Sequence, residues 1–507
     1  MPMSLGTVFF ISLPCLLFAL NGFLERGRRA PTALPFMANM MEADPLEERA
    51  DKVRQALQHL WRGYKEKRWG ADEVKPISGE SGVEWGGLGM LILDTLDTLW
   101  LAGLETEFAE GRDWVAQLNL EPTGTSMRAA FCEITWRGLG GLLSAYALSR
   151  DEIFLEKAKL LGDRLLQGFY TPNQGVSWPS STIDVHNVSD VERSEVRVLA
   201  SVGAHVLEFD YLTQASGDNR FQVAADNVME NLMNFSESVQ QPLAPVAVNT
   251  QTMSFQGNMV TVSALGDAYF EYLFKRYLQS GCKSSRLLSN WKSAMEEMRE
   301  ALVRKTPQGY TIIADQASRQ PDGGFANTTD RMQHLSCFWG GTLALASVYV
   351  PKEQREDWWL DTGAEITRTC YEAYRLTTSG LAPESWSFDD DGIHPLDSHY
   401  RLRPETLESL FLLHRITGDT KYRDWAWEIF SNIDHITKTN YGFAAVTDVM
   451  QGPKTVVLED SEETFMGAET LKYALLAQLP VEKMPLDYFV FSTEAHPFPV
   501  PETCKHE

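Results

Sequence analysis

Clustered cysteines are missing from this 507-residue chain. Its six cysteines are Cys15, Cys132, Cys282, Cys337, Cys370 and Cys504, with no close Cys-x-x-Cys or Cys/His group. That argues against a zinc site of the usual ligand spacing. Basic residues are in deficit, with 45 Lys and Arg against 69 Asp and Glu, for a net charge of −24. No nucleic-acid partner is expected, because a phosphate backbone demands Lys and Arg. Long alternating β-branched runs are few, so a sheet is not expected to form the core. The 44% hydrophobic and 22% charged content suits a large globular protein.

The N-terminus lacks charge altogether. Residues 1–24, MPMSLGTVFFISLPCLLFALNGFL, carry no charged side chain. Their apolar part, about 20 residues, is enough to span a bilayer. They read as a signal anchor or a signal peptide, and the sequence leaves the two open. A short Pro-containing linker follows, residues 25–45, opening with ERGRR. Basic residues after the span favour a cytoplasmic body by the positive-inside rule. Three glycosylation acceptors oppose that: Asn187-Val188-Ser189, Asn234-Phe235-Ser236 and Asn327-Thr328-Thr329. They are usable only in the lumen. A luminal body is expected, on the membrane of the endoplasmic reticulum or Golgi if the segment is uncleaved.

From there the apolar pattern is helical almost to the end, as in RGLGGLLSAYALS and ETLESLFLLHRIT. One turn signature recurs. Ser149-Arg150-Asp151, Ser216-Gly217-Asp218 and Thr417-Gly418-Asp419 each sit between two helical patterns and supply turn or N-cap chemistry. The first two aspartates are 67 residues apart, and the third lies at three times that spacing. A repeat of that length is one helical hairpin plus loops. Glu133, Asp267, His334, Glu405 and Glu469 interrupt apolar helices near multiples of the same spacing. About seven units fill the chain after its N-terminal segment. The expected fold is an all-α ring of helical hairpins, with short β elements at loops and acids converging on the axis.

Individually, these residues also have ordinary readings. Glu133 and Arg137 are spaced for a local helical ion pair. Arg403-Pro404-Glu405 reads as a loop entering a helix, and acids there can simply offset the dipole. Asp267, Glu271 and Lys275 in SALGDAYFEYLFK can be a solvated stripe, and Lys275 is expected to stay so. Together, a set of inward acids suggests two tasks. One is glycoside hydrolysis by paired carboxyls. The other is a hard cation such as calcium, held by dispersed oxygens because no EF-hand loop is present.

The motifs LGMLILDTLDTLWLAGL, FCEITWRGLGGLLSAYALS, LGDAYFEYLFK, MQHLSCFWGGTLAL, RLRPETLESLFLLHRITGD, ETLKY and FSTEAHPFPV occur in that order. Over about residues 46–500 the chain resembles the class I α-1,2-mannosidases, glycoside hydrolase family 47. The resemblance implies an (α/α)7 barrel over 46–500, with 501–507 as a tail. It implies calcium-dependent, inverting removal of terminal α-1,2-linked mannose from oligomannose N-glycans; a monomer is expected. It implies Glu133 as general acid acting through a water, Glu405 as general base and Asp267 as a third essential carboxylate. Thr493 corresponds to the direct ligand of the one calcium ion, and Glu405, Glu469 and Glu494 to holders of its waters. Arg137, Glu208, Glu271, Glu384, Arg403 and Glu408 correspond to residues of the same well. Phe465 corresponds to the aromatic floor, His334 to a pocket residue, and Cys337–Cys370 to a disulfide. Leu265 stands where the ER-type enzymes have an arginine that narrows branch choice, so this chain resembles the Golgi type there. Two alternatives are a degradation-enhancing, mannose-binding relative and an unrelated toroidal glycosidase or epimerase.

Overall fold

The computed structural model describes residues 45–501, apart from 83–84, 123–125, 173–174, 189–191, 193 and 391. The apolar segment 1–24, most of the linker, Cys15 and Cys504 lie outside the described residues. Among the described residues, no helix is long and apolar enough to cross a membrane.

Fourteen helices of eight or more residues are described, and they alternate between an outer and an inner layer. They are α1 (Pro45–Arg68), α2 (Met90–Ala102), α3 (Glu105–Ala116), α4 (Gly140–Ser149), α5 (Glu152–Gln167), α6 (Val206–Ser216) and α7 (Arg220–Val239). There follow α8 (Asp267–Gln279), α9 (Ser285–Ala301), α10 (Trp339–Tyr349), α11 (Trp358–Arg375), α12 (Glu405–Thr417), α13 (Thr420–Thr437) and α14 (Leu471–Gln478). Each even-numbered helix packs against the odd-numbered helix that follows it, and α14 packs against α1. That makes seven hairpin pairs. Neighbouring even helices touch from α2 to α8 and from α10 to α14, and α14 returns to α2. Between α8 and α10 the wall is carried by the outer layer: Phe274 of the inner α8 stacks on Trp291 of α9 at 4.6 Å, and Trp291 lies 5.3 Å from Trp359 of α11.

The two layers differ in sequence for a physical reason. The inner helices are covered all round, so α14 buries every one of its residues, Lys472 included. The outer helices bury one stripe; in α5 it is Phe154, Leu155, Ala158, Leu161, Gly162 and Leu165. Close inner crossings need glycine. A Cβ on Gly141 would sit 2.1 Å from the carbonyl oxygen of Leu93 on α2.

The repeated turn signature has one geometry in all three places. The residue before the aspartate is left-handed, with φ of 59° at Arg150, 76° at Gly217 and 71° at Gly418. The preceding hydroxyl accepts from the aspartate N–H at 3.2 Å each time. Asp151, Asp218 and Asp419 then accept from the N–H two residues on, at 3.1, 3.0 and 3.0 Å. These turns join α4 to α5, α6 to α7 and α12 to α13.

An antiparallel hairpin of Phe489–Phe491 and Pro497–Pro499 enters the ring. Phe498 stacks on Tyr211 of α6, while Phe491 meets Phe411 of α12 and Tyr473 of α14. Its connecting turn, residues 492–496, stands at the barrel axis.

Candidate active site

A cavity of about 220 Å³ opens above that turn. Its wall carries seven carboxyl groups, Glu133, Asp267, Glu271, Glu405, Glu408, Glu469 and Glu494, against two guanidinium groups, Arg137 and Arg403. Trp136, Ala268, Leu335, Phe338, Phe465 and Thr493 complete it. Local chain geometry delivers these groups. Asp267 and Glu405 are the first residues of α8 and α12, so their carboxyls lie at positive helix ends. Pro404 stands one position before the helix. Glu133 and Arg137 flank and occupy a π-helical stretch, Ile134–Leu139, and Glu469 lies in another, Met466–Thr470. Such bulges re-aim side chains and concentrate at functional sites.

The Glu133–Arg137 helical ion pair is present, with Arg137 Nε donating to Glu133 at 2.8 Å. Arg137 does more than that. Its other end donates to Glu494 at 2.7 Å and to Thr464 at 3.3 Å. Arg137 and Arg403 lie 5.8 and 5.6 Å from the centre of the Phe465 ring. Arg403 is held by Glu384, at 2.9 and 3.0 Å, and reaches Glu405 at 3.7 Å.

Glu405 and Asp267 are tuned in opposite directions. Burial raises Glu405, but the hydrogen bond from His334 and the charge of Arg403 hold it below the usual carboxylate range. Burial pushes Asp267 up to about 7; its bond from the Ala268 N–H opposes this, and Glu271 and Glu405 add to it. Glu405 therefore stays ionised near neutrality while Asp267 keeps much of its proton. Burial also lifts Glu494 to about 7, against Arg137, and Glu408 to about 8, against Lys275.

Four expected pocket residues stand apart from the cavity wall. His334 is fully buried behind Glu405. Glu384 acts on Arg403. Glu208 lies behind Tyr272, which donates to it at 2.7 Å and accepts from the Thr493 N–H at 3.3 Å. Leu265 is 45% exposed, with φ 85°. Lys275, expected to be solvated, is 1% exposed. It pairs with Glu271, lies 3.5 Å from Glu408, and donates to the Ser492 carbonyl at 3.3 Å. The helix that carries it belongs to the inner ring, where no face meets water.

The sequence reading missed a buried network beneath the cavity. His496 bridges Asp97 at 2.9 Å and Asp94 at 3.1 Å, and Lys472 meets Asp97 at 2.9 Å. Thr464 donates to Asp94 and accepts from Arg137. Both aspartates were visible in LDTLDTLW, as acids within an apolar run. Cys337 and Cys370 form a disulfide joining the turn after His334 to α11. Cys282 is also disulfide-bonded, and Cys132 is a free, buried thiol. Asn187, Asn234 and Asn327 are all exposed.

The sequence profile of Glycosyl hydrolase family 47 matches residues 56–500. This chain belongs to that family. The chain is similar to the endoplasmic reticulum mannosyl-oligosaccharide 1,2-alpha-mannosidase of Homo sapiens, 36% identical over 491 residues, 94% of this chain and 68% of that one. The mannosyl-oligosaccharide 1,2-alpha-mannosidase IA of Sus scrofa is 34% identical over 492 residues, 93% and 72% of the two chains. Among solved structures, the alpha-1,2-mannosidase from Trichoderma reesei superposes with a TM-score of 0.81 at 27% identity, over 90% of this chain and 99% of that one. The fold is the (α/α)7 barrel of family 47.

Proposed function

We propose that the protein hydrolyses terminal α-1,2-linked mannose from oligomannose N-glycans, with inversion. The observation that carries this reading is one axial cavity in a family 47 barrel whose wall brings Glu133, Asp267 and Glu405 together with Phe465 and Thr493. Glu405, kept ionised by His334 and Arg403, takes a proton from the attacking water. Glu133 is the acid that the family resemblance implies, acting through a water. A second reading, favoured by the raised Asp267 carboxyl, makes Asp267 the proton source; the two are separable by the pH dependence of variants. Phe465 offers its face to the sugar ring. Arg137 and Arg403 fix the acids around it.

Calcium suits the donor set. The wall is rich in carboxyl oxygen and poor in cations, and among the described residues no group donates to the carbonyl or hydroxyl oxygen of Thr493. Among the described residues, no three His, Cys, Asp or Glu side chains are grouped to hold an ion by themselves. On the family resemblance Thr493 would hold the ion, with Glu405, Glu469 and Glu494 retaining its waters. When bound, the ion supplies a hard positive centre that orients sugar hydroxyls and acidifies bound water. The catalytic barrel is assigned to residues 46–500, and the N-terminal apolar segment to entry into the secretory pathway, with membrane attachment if it is uncleaved. Leu265, lacking the five donors of an arginine, leaves branch choice relaxed. Release of mannose from an α-1,2-linked disaccharide, and its loss in Glu405→Gln, tests the reading.

A further inference from the structure

The turn at residues 492–496 is held more firmly than a surface hairpin turn needs. Ala495 adopts φ 58°, a left-handed conformation costly for alanine. Within the turn, Ser492 N–H donates to the His496 carbonyl at 2.9 Å, and Ala495 N–H to the Ser492 carbonyl at 3.1 Å. Two buried ammonium groups then grip its carbonyls from opposite inner helices. Lys275 of α8 donates to Ser492 O at 3.3 Å, and Lys472 of α14 donates to Ala495 O at 2.7 Å. Each lysine is at most 1% exposed and is charge-balanced by acids on the ring: Glu271 and Glu408 for Lys275, Asp97 for Lys472.

We infer that Lys275 and Lys472 are positioning residues, a two-sided clamp that fixes Thr493 for cation binding. The inference rests on the reading of Thr493 as the cation ligand. With Ser492 O and Ala495 O both occupied by lysines, the turn leaves the Thr493 oxygens facing the cavity. An ammonium group near a cation also repels it, so the two roles predict opposite signs. If the lysines only repelled the ion, removing one would tighten binding. If they position the turn, removing one loosens it despite the lost repulsion.

The test is calorimetric titration of Ca²⁺ into metal-stripped enzyme, with amide exchange of residues 493–496 read in parallel. Lys275→Met and Lys472→Met keep the side-chain stem and remove the charge. At least tenfold weaker Ca²⁺ affinity, with at least tenfold faster exchange in the turn, is expected. Unchanged or tighter affinity in a folded variant overturns the clamp. If either methionine variant does not fold, Lys275→Arg and Lys472→Arg decide instead, because they keep the charge and change its reach. They too should weaken binding, and wild-type affinity in both would overturn the proposal. Absence of Ca²⁺ uptake by the unaltered enzyme would refute the cation reading itself. The exchange rates would then still decide whether the lysines hold the turn.

Discussion

His334 Nδ1 lies 2.8 Å from Glu405 Oε2, while its Nε2 lies 3.0 Å from the Tyr374 hydroxyl. The imidazole thus fixes the orientation of the carboxylate assigned as base and favours its charged form. His334→Ala removes one charge-assisted hydrogen bond, worth about 1.5–3 kcal/mol. Steady-state kinetics should show kcat lowered by roughly 10- to 100-fold. KM should move much less, because the ring stands behind the wall.

Asp267 carries the clearest pH signature. With its carboxyl raised to about 7 by burial and by its acidic neighbours, it is protonated below that pH and ionised above it. If it supplies the proton, kcat/KM falls on the alkaline side with a midpoint near that value. In Asp267→Asn, the residual activity should lose this limb. Persistence of the limb in Asp267→Asn, with its loss in Glu133→Gln, would return the acid role to Glu133.

Glu208 links burial to stability. It is fully buried and raised to about 8 by desolvation, from an ordinary 4.5. A carboxyl raised on folding gives its full stability below the unfolded value and loses it as pH rises through the folded one. Thermal unfolding should therefore show a declining Tm from about pH 5 to pH 9, part of which is removed in Glu208→Gln. The variant should melt close to wild type at pH 5 and higher than wild type at pH 9. The Tyr272 hydroxyl can still donate to the amide oxygen, so packing is preserved.

Leu265 gives a substrate-level prediction. A nine-mannose glycan should lose several α-1,2-linked mannoses without one eight-mannose isomer accumulating. Leu265→Arg should restrict the product range, as read by chromatography of labelled glycans. Accumulation of a single isomer with the unaltered enzyme would contradict the role given to this position.

Much of the barrel was legible because its connections are local. Ser149-Arg150-Asp151 and its two counterparts encode turn and cap in three letters, so three of the seven hairpins could be placed from their turns. The resemblance supplied most of the wall residues, from Glu133 to Glu494. The burial of Lys275 was not legible. An (i, i+4) acid–lysine pair reads as solvated unless the whole helix is known to be enclosed, and enclosure follows only from ring closure. The π-helical bends at Ile134–Leu139 and Met466–Thr470 leave no periodicity signal in so short a stretch. The His496–Asp97–Lys472 network joins residues 375 and 399 positions apart, a pairing that local patterns do not carry.

The most direct test is the release of mannose from α-1,2-mannobiose by the purified enzyme. Activity should require Ca²⁺, vanish with EDTA, return on adding Ca²⁺, and fall at least about a thousandfold in Glu405→Gln. Full activity in EDTA, or a Glu405→Gln variant as active as the unaltered enzyme, would contradict the account.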